Sequence, residues 1–143
     1  MKTNPIDRRA LLALAGASFT QAMLAQTPAQ TPARAGGNPT VFEHDLPDVN
    51  MHNWAVTVRE INYGPGDTTA AHRHPGITLV YVLDGAIVSK VGNGPEKTYT
   101  QGQMFMESPG DVHAVSRNAS ATRPARFLAL LLAEKGAQLT VPV

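Results

Sequence analysis

Residues 66–85 read GDTTAAHRHPGITLVYVLDG, and residues 102–118 read GQMFMESPGDVHAVSRN. In the first stretch His72 and His74 stand two positions apart. Side chains so spaced on a strand project from one face, with Cα atoms about 6.5 Å apart along the chain, so both rings can converge on one ion. His113 follows in the second stretch, behind the turn formers Pro109, Gly110 and Asp111. Three imidazoles favour a transition metal over Mg or Ca, which prefer oxygen ligands. The chain has no cysteine, so a bound metal must be held by nitrogen and oxygen, and disulfides and cysteine nucleophiles are excluded.

Working outward, β-favouring runs alternate with turn signals from Val41 onward, and no sustained helical stripe interrupts them. Strands are predicted over Trp54 to Tyr63, Ile77 to Leu83, Ala86 to Val91, Met104 to Glu107, His113 to Ser116 and Phe127 to Leu132. Gly64-Pro65-Gly66-Asp67, Asp84-Gly85, Gly92-Asn93-Gly94-Pro95, Gln101-Gly102 and Pro109-Gly110 supply the positive φ angles and fixed turns that hairpins need. The pattern is all-β and predicts a sandwich or a small barrel. A length of 143 residues with 43% hydrophobic content suits one domain with a modest core.

These two stretches resemble the motifs of the cupin family. Gly66, His72, His74, Thr78 and Gly85 fall at the positions of the first motif, and Gly102, Gly110 and His113 at those of the second. Ser108 stands where a proline is usual, with Pro109 beside it, and Arg117 stands at the asparagine position, with Asn118 one residue later. The resemblance implies a jelly-roll β-barrel with His72, His74 and His113 lining its interior as metal ligands. It fixes the fold more than the chemistry, since this architecture hosts many unrelated activities.

Thr78 is the main departure, because the family places a carboxylate there. Its parity with His72 and His74 along one presumed extended segment points it inward, where its hydroxyl would meet substrate or water. Glu107 is the candidate replacement. An unpaired buried carboxylate costs several kcal/mol, so Glu107 is either exposed or held by something positive such as a metal. Four roles stay open for it: a fourth ligand, a general acid or base, a rim carboxylate paired with Arg73, Arg117 or solvent, or a group that contacts substrate without touching the ion. Phe105, in the apolar run Met104-Phe105-Met106, is expected to shape the substrate pocket. His44 and His52 lack motif partners and read as surface residues. Asn118-Ala119-Ser120 has the letters of a glycosylation sequon and reads as a turn.

At the start of the chain, Lys2, Arg8 and Arg9 precede the apolar run Ala10 to Ala17, and Ala25 closes the segment. Residues 1–25 read as an export signal too short to span a bilayer, with Arg8-Arg9 resembling a twin-arginine motif. Export to the periplasm or beyond is the expectation. Residues 26–40, with Thr27-Pro28, Thr31-Pro32, Gly36-Gly37 and Asn38-Pro39, read as a flexible linker, and residues 41–143 as the barrel domain. Cleavage removes Lys2, Arg8, Arg9 and Asp7, turning a net charge of +1 into −1. A nearly neutral domain without a basic run is not expected to bind nucleic acid, and no stable membrane association is expected after cleavage.

The chemistry expected is one divalent transition metal ion (Fe, Mn, Ni, Cu or Zn) with open positions for water, substrate or dioxygen. The leading reading is a small metal-dependent enzyme acting on a small organic molecule, with dioxygenase-like oxidation favoured. The alternative is a non-catalytic cupin that captures a small ligand or metal. A metal-free structural cupin ranks last, and a homodimer is possible through an exposed apolar strand.

Overall fold

The computed structural model describes residues 37–143, which form one compact unit. The export signal expected over residues 1–25 and most of the expected linker lie outside the described residues. Gly37 to Thr40 are exposed and outside any strand, and residues 41–53 also carry none. All regular structure among the described residues is β.

The strands are β1 (Trp54–Tyr63), β2 (Thr68–Thr69), β3 (His72–Arg73), β4 (Ile77–Asp84), β5 (Ala86–Val91), β6 (Lys97–Thr100), β7 (Met104–Glu107), β8 (Val112–Asn118), β9 (Ala125–Glu134) and β10 (Val141–Pro142). One sheet runs β1-β9-β4-β7, and the other β10-β3-β8-β5-β6 with β2 also on β8. Every ladder is antiparallel. The expected all-β jelly roll is the observed fold.

Alternation sets which face is inside. Along β9, Ala125, Phe127, Ala129, Leu131 and Ala133 are buried while their neighbours are more exposed. Val80 and Val82 of β4 face the same interior. Tyr63, Val82, Ile87, Phe105, Ala125 and Phe127 pack into one core cluster toward one end of the barrel. Toward the other end, the row Thr57–Leu131–Thr78–Glu107 crosses the four-stranded sheet, and the buried Thr78 and Glu107 bring polar groups inside beside Leu131.

Two glycines are fixed by close approach. A Cβ on Gly76 would overlap the carbonyl oxygen of Leu132, so β4 can enter against β9 only without a side chain there. Gly85 adopts φ +71°, and a Cβ there would lie 2.7 Å from the Pro124 oxygen. The expected strand at His113 to Ser116 extends to Val112–Asn118, and the one at Phe127 to Leu132 extends to Ala125–Glu134.

A β-bulge interrupts β8. Val91 pairs with His113 but Lys90 pairs with Val115, so Ala114 is an extra residue on β8. Inward parity therefore changes from His113 to Ser116 and Asn118, all buried. The bulge absorbs the residue by which Asn118 stands beyond the family's asparagine position. Asn118 donates to the carbonyls of Gly64 and Arg123 at 2.8 and 2.7 Å and accepts from the Ser120 amide at 2.9 Å. It is a buried turn anchor.

Candidate metal centre

His72 and His113 are direct partners on the β3–β8 ladder, and His74 follows immediately after β3. The amide of Gly110 donates to the carbonyl of His74 at 2.8 Å, tying the turn before His113 to the strand end that carries His74. All three rings are buried, and one ring nitrogen from each lies within 4.8 Å of the others.

Each ring has its other nitrogen engaged. His72 Nδ1 donates to the Ala70 carbonyl at 2.8 Å, and His74 Nδ1 to the Leu139 carbonyl at 2.6 Å. Those bonds place the proton on Nδ1 and leave the Nε2 lone pairs free, the state a metal requires. His113 Nε2 meets Ser89 Oγ at 2.8 Å, which leaves Nδ1 toward the site. Burial holds the pKa of His72 below its usual 6.5, with the neighbouring His113 and His74 acting in the same direction against the Ala70 bond. Burial thus favours the neutral, ligating form.

Glu107 is 2% exposed, and its Oε2 lies 3.3 Å from His113 Nδ1 and 3.8 Å from His74 Nε2 with no hydrogen-bond partner. The rim placement is excluded by this burial, and Arg117 instead pairs with Glu96 at 2.7 Å. An orphaned carboxylate oxygen facing imidazole nitrogens is a donor set that fits a divalent cation. Thr78, the ladder partner of Glu107, is likewise buried with its Oγ1 unpartnered. It faces the site from the four-stranded sheet, whereas His72 belongs to the other sheet. Inward direction is as expected, but continuous strand parity is not its cause, because β3 ends before β4 begins.

These groups line a cavity of about 150 Å³, together with Ile61, Phe127 and Leu131. That is below the roughly 300–1,000 Å³ of pockets for drug-sized ligands, so it suits a small molecule. Phe105 is not on this wall. It is packed in the core against Tyr99, the two rings tilted with centroids 4.6 Å apart, and meets His113 in a T-shaped contact at 5.9 Å, so it backs a histidine rather than shaping the cavity. His44 and His52 are exposed, as expected. Sequence reasoning missed the hydroxyl cluster in which Tyr63 Oη bonds Thr69 and, at 2.9 Å, Ser116. It also missed Arg59, which shares the inward parity of Ile61 and Tyr63 on β1 and lines the cavity. Apolar residues of β1 fall on both parities, Val56 and Val58 on one and Ile61 and Tyr63 on the other, so the sequence does not mark its inward face.

A small β-barrel with inward histidines on paired neighbouring strands defines a class, and the family comparison agrees. The family described as a cupin domain matches residues 59–131, just over half of the 143 residues, and the chain belongs to that family. No curated protein matches it. Among solved structures, it is similar to an uncharacterized conserved protein with a double-stranded β-helix domain from Klebsiella pneumoniae, with 25% identity, a TM-score of 0.52, and coverage of 62% of this chain and 75% of that one. The fold is also similar to that of an oxalate decarboxylase from Lactobacillus farciminis, at 16% identity and a TM-score of 0.53, covering 62% of this chain and 26% of that one. A structure of an oxalate oxidase gives 18% identity and a TM-score of 0.52, with coverage of 78% and 68%.

Proposed function

We propose that this protein is a small metal-dependent enzyme that holds one divalent transition metal ion through His72, His74, His113 and Glu107 and oxidises a small organic molecule with dioxygen. The observation that carries the metal reading is the buried, unpartnered Oε2 of Glu107, 3.3 and 3.8 Å from two imidazole nitrogens. When bound, the ion would supply Lewis acidity and adjacent open positions for substrate and dioxygen. The chain's own part is to orient the imidazoles through Ala70, Leu139 and Ser89. Ile61, Phe127, Ala129 and Leu131 give the cavity apolar walls, and the Thr78 hydroxyl is available to a substrate.

Elemental analysis of the purified protein beside a His72→Ala/His74→Ala variant tests this. Near-stoichiometric Fe, Mn, Ni, Cu or Zn, lost in the variant, is expected, with oxygen uptake in proportion to metal. Absence of metal after reconstitution overturns the reading.

A second reading, a binding cupin without turnover, is favoured by Thr78, a neutral hydroxyl where the family has a carboxylate. It predicts ligand-dependent stabilisation without product. Export through residues 1–25 and pairing of two copies belong to the proposal as well. Val56 and Val58, 60% and 55% exposed on edge strand β1, motivate the pairing, which sedimentation velocity tests.

A further inference from the structure

Arg59 is the one lysine or arginine among the residues lining the histidine cavity. It sits on β1, the edge strand of the four-stranded sheet, and is solvent-exposed, so it borders the opening between the sheets. Its ladder partner is Ala129, a small buried side chain that leaves room beside it. Arg126 pairs with Glu60 and Arg117 with Glu96, whereas Arg59 forms no ion pair with a described residue. Glu107 lies on β7 at the other edge of the same sheet. Three strand spacings of roughly 4.8 Å and a two-residue offset along the strands separate the two Cα positions, about 16 Å in all. Ala129, Leu131 and Phe127 form the apolar wall between them.

An unpaired guanidinium is a fork of N–H donors matched to a planar carboxylate, and here it faces a small cavity whose far end holds the imidazoles. Resting on the metal-site reading above, we infer that the substrate is a small organic carboxylate, anchored by Arg59 at the mouth so that its carbon skeleton crosses the apolar wall toward His72, His74 and His113. The rim supplies one planar guanidinium and no second cation lines the cavity, which suits one planar carboxylate better than a multiply charged phosphate. Arg59 is thereby a binding residue that sets substrate class and orientation.

The test is calorimetric and thermal-shift titration of the full-length protein with acetate, propionate, isobutyrate and benzoate, against the matching amides, with metal content measured on the same samples. At least one carboxylate is expected to bind about tenfold or more tighter than its amide. Arg59→Gln should abolish that preference, Arg59→Lys should keep part of it, and neither should change metal content. If no carboxylate binds, if the amides bind equally well, or if Arg59→Gln leaves the preference intact, the inference is overturned. Metal present without any Arg59 dependence removes this inference and leaves the metal reading standing. Carboxylate preference that depends on Arg59 in a protein unable to hold metal supports the anchor and removes the metal reading.

Discussion

Thr78 and Glu107 face one another across the β4–β7 ladder, both buried and each with a side-chain oxygen that has no partner. The family's carboxylate position thus holds a hydroxyl, and a carboxylate occupies the neighbouring position on the adjacent strand. Directly opposed Cβ atoms lie about 4.5–5.5 Å apart, a distance a side chain can cover, so the carboxyl group stands one strand over without leaving the site. Exchanging the two should therefore be tolerated. Glu107→Thr alone is expected to lose metal affinity by about tenfold or more. The double variant Thr78→Glu/Glu107→Thr is expected to recover most of it while keeping the total volume. Competition with a chelator measures both, and equal affinity of the single variant and the parent would remove Glu107 from the ligand set.

Glu107→Gln separates the remaining roles. The amide keeps the shape and removes the charge. Loss of turnover with metal retained assigns acid–base work to Glu107, and loss of metal assigns ligation. The geometry predicts loss of metal, because the Oε2 has no partner except what the imidazoles also face. Unchanged metal and unchanged turnover would sink both roles.

Ser89 tests the orientation of His113 without touching the centre. Its hydroxyl lies 2.8 Å from His113 Nε2 and both groups are buried, so Ser89→Ala leaves a ring nitrogen unpaired. A loss of about 1–3 kcal/mol in stability is expected from that unpaired group. Groups that orient a ligating histidine typically contribute about 10–100-fold to metal affinity, and Ser89→Ala should fall in that range. A chemical denaturation curve and a chelator titration read the two effects. Stability loss with unchanged affinity would make Ser89 a packing residue only.

Much of this architecture is legible in the sequence. Longer strands rich in β-favouring residues and flanked by turn formers, such as β4, β5 and β9, are recognisable as runs. β2, β3 and β10 have two residues each, too few to express any period. The histidines are readable from their spacing, and so is Glu107 as an anomalous charge in an apolar run. The groups that orient them are not. The Leu139 carbonyl is a backbone atom 65 residues from His74, and no side chain advertises it. Arg59 lies in a strand whose extent is evident, but which of its faces turns inward depends on the β9 partner. The bulge at Ala114 likewise appears only in the pairing of β8 with β5.

In the metal-free protein, His72 should make stability depend on pH. Burial keeps its folded pKa below the usual 6.5. As pH falls below 6.5, the unfolded chain takes up this proton before the folded chain does. The unfolded state then binds more protons, so stability falls with decreasing pH until the folded pKa is passed, and is flat above 6.5. Urea midpoints across this range should show that slope, and His72→Asn should reduce it. An unaltered slope in the variant would assign it to other groups.

The C-terminal segment closes the centre from outside the two motifs. β10 pairs with β3 through Val141↔Arg73 and Pro142↔His72, and the Leu139 carbonyl accepts from His74 Nδ1 at 2.6 Å. Thr140 lines the cavity between these contacts. Removing residues 139–143 deletes the acceptor that fixes the His74 tautomer and uncovers the edge of β3, without reaching the core cluster of Tyr63, Val82, Ile87 and Phe127. The truncated protein should therefore still fold, with a cooperative thermal transition, while its metal affinity drops by about 10–100-fold. Because a carbonyl is supplied by any residue, Leu139→Ala should keep the parent affinity. If the truncation binds metal as the parent does, the His74 contact is incidental; if Leu139→Ala falls as far as the truncation, the side chain and not the carbonyl holds His74 in place.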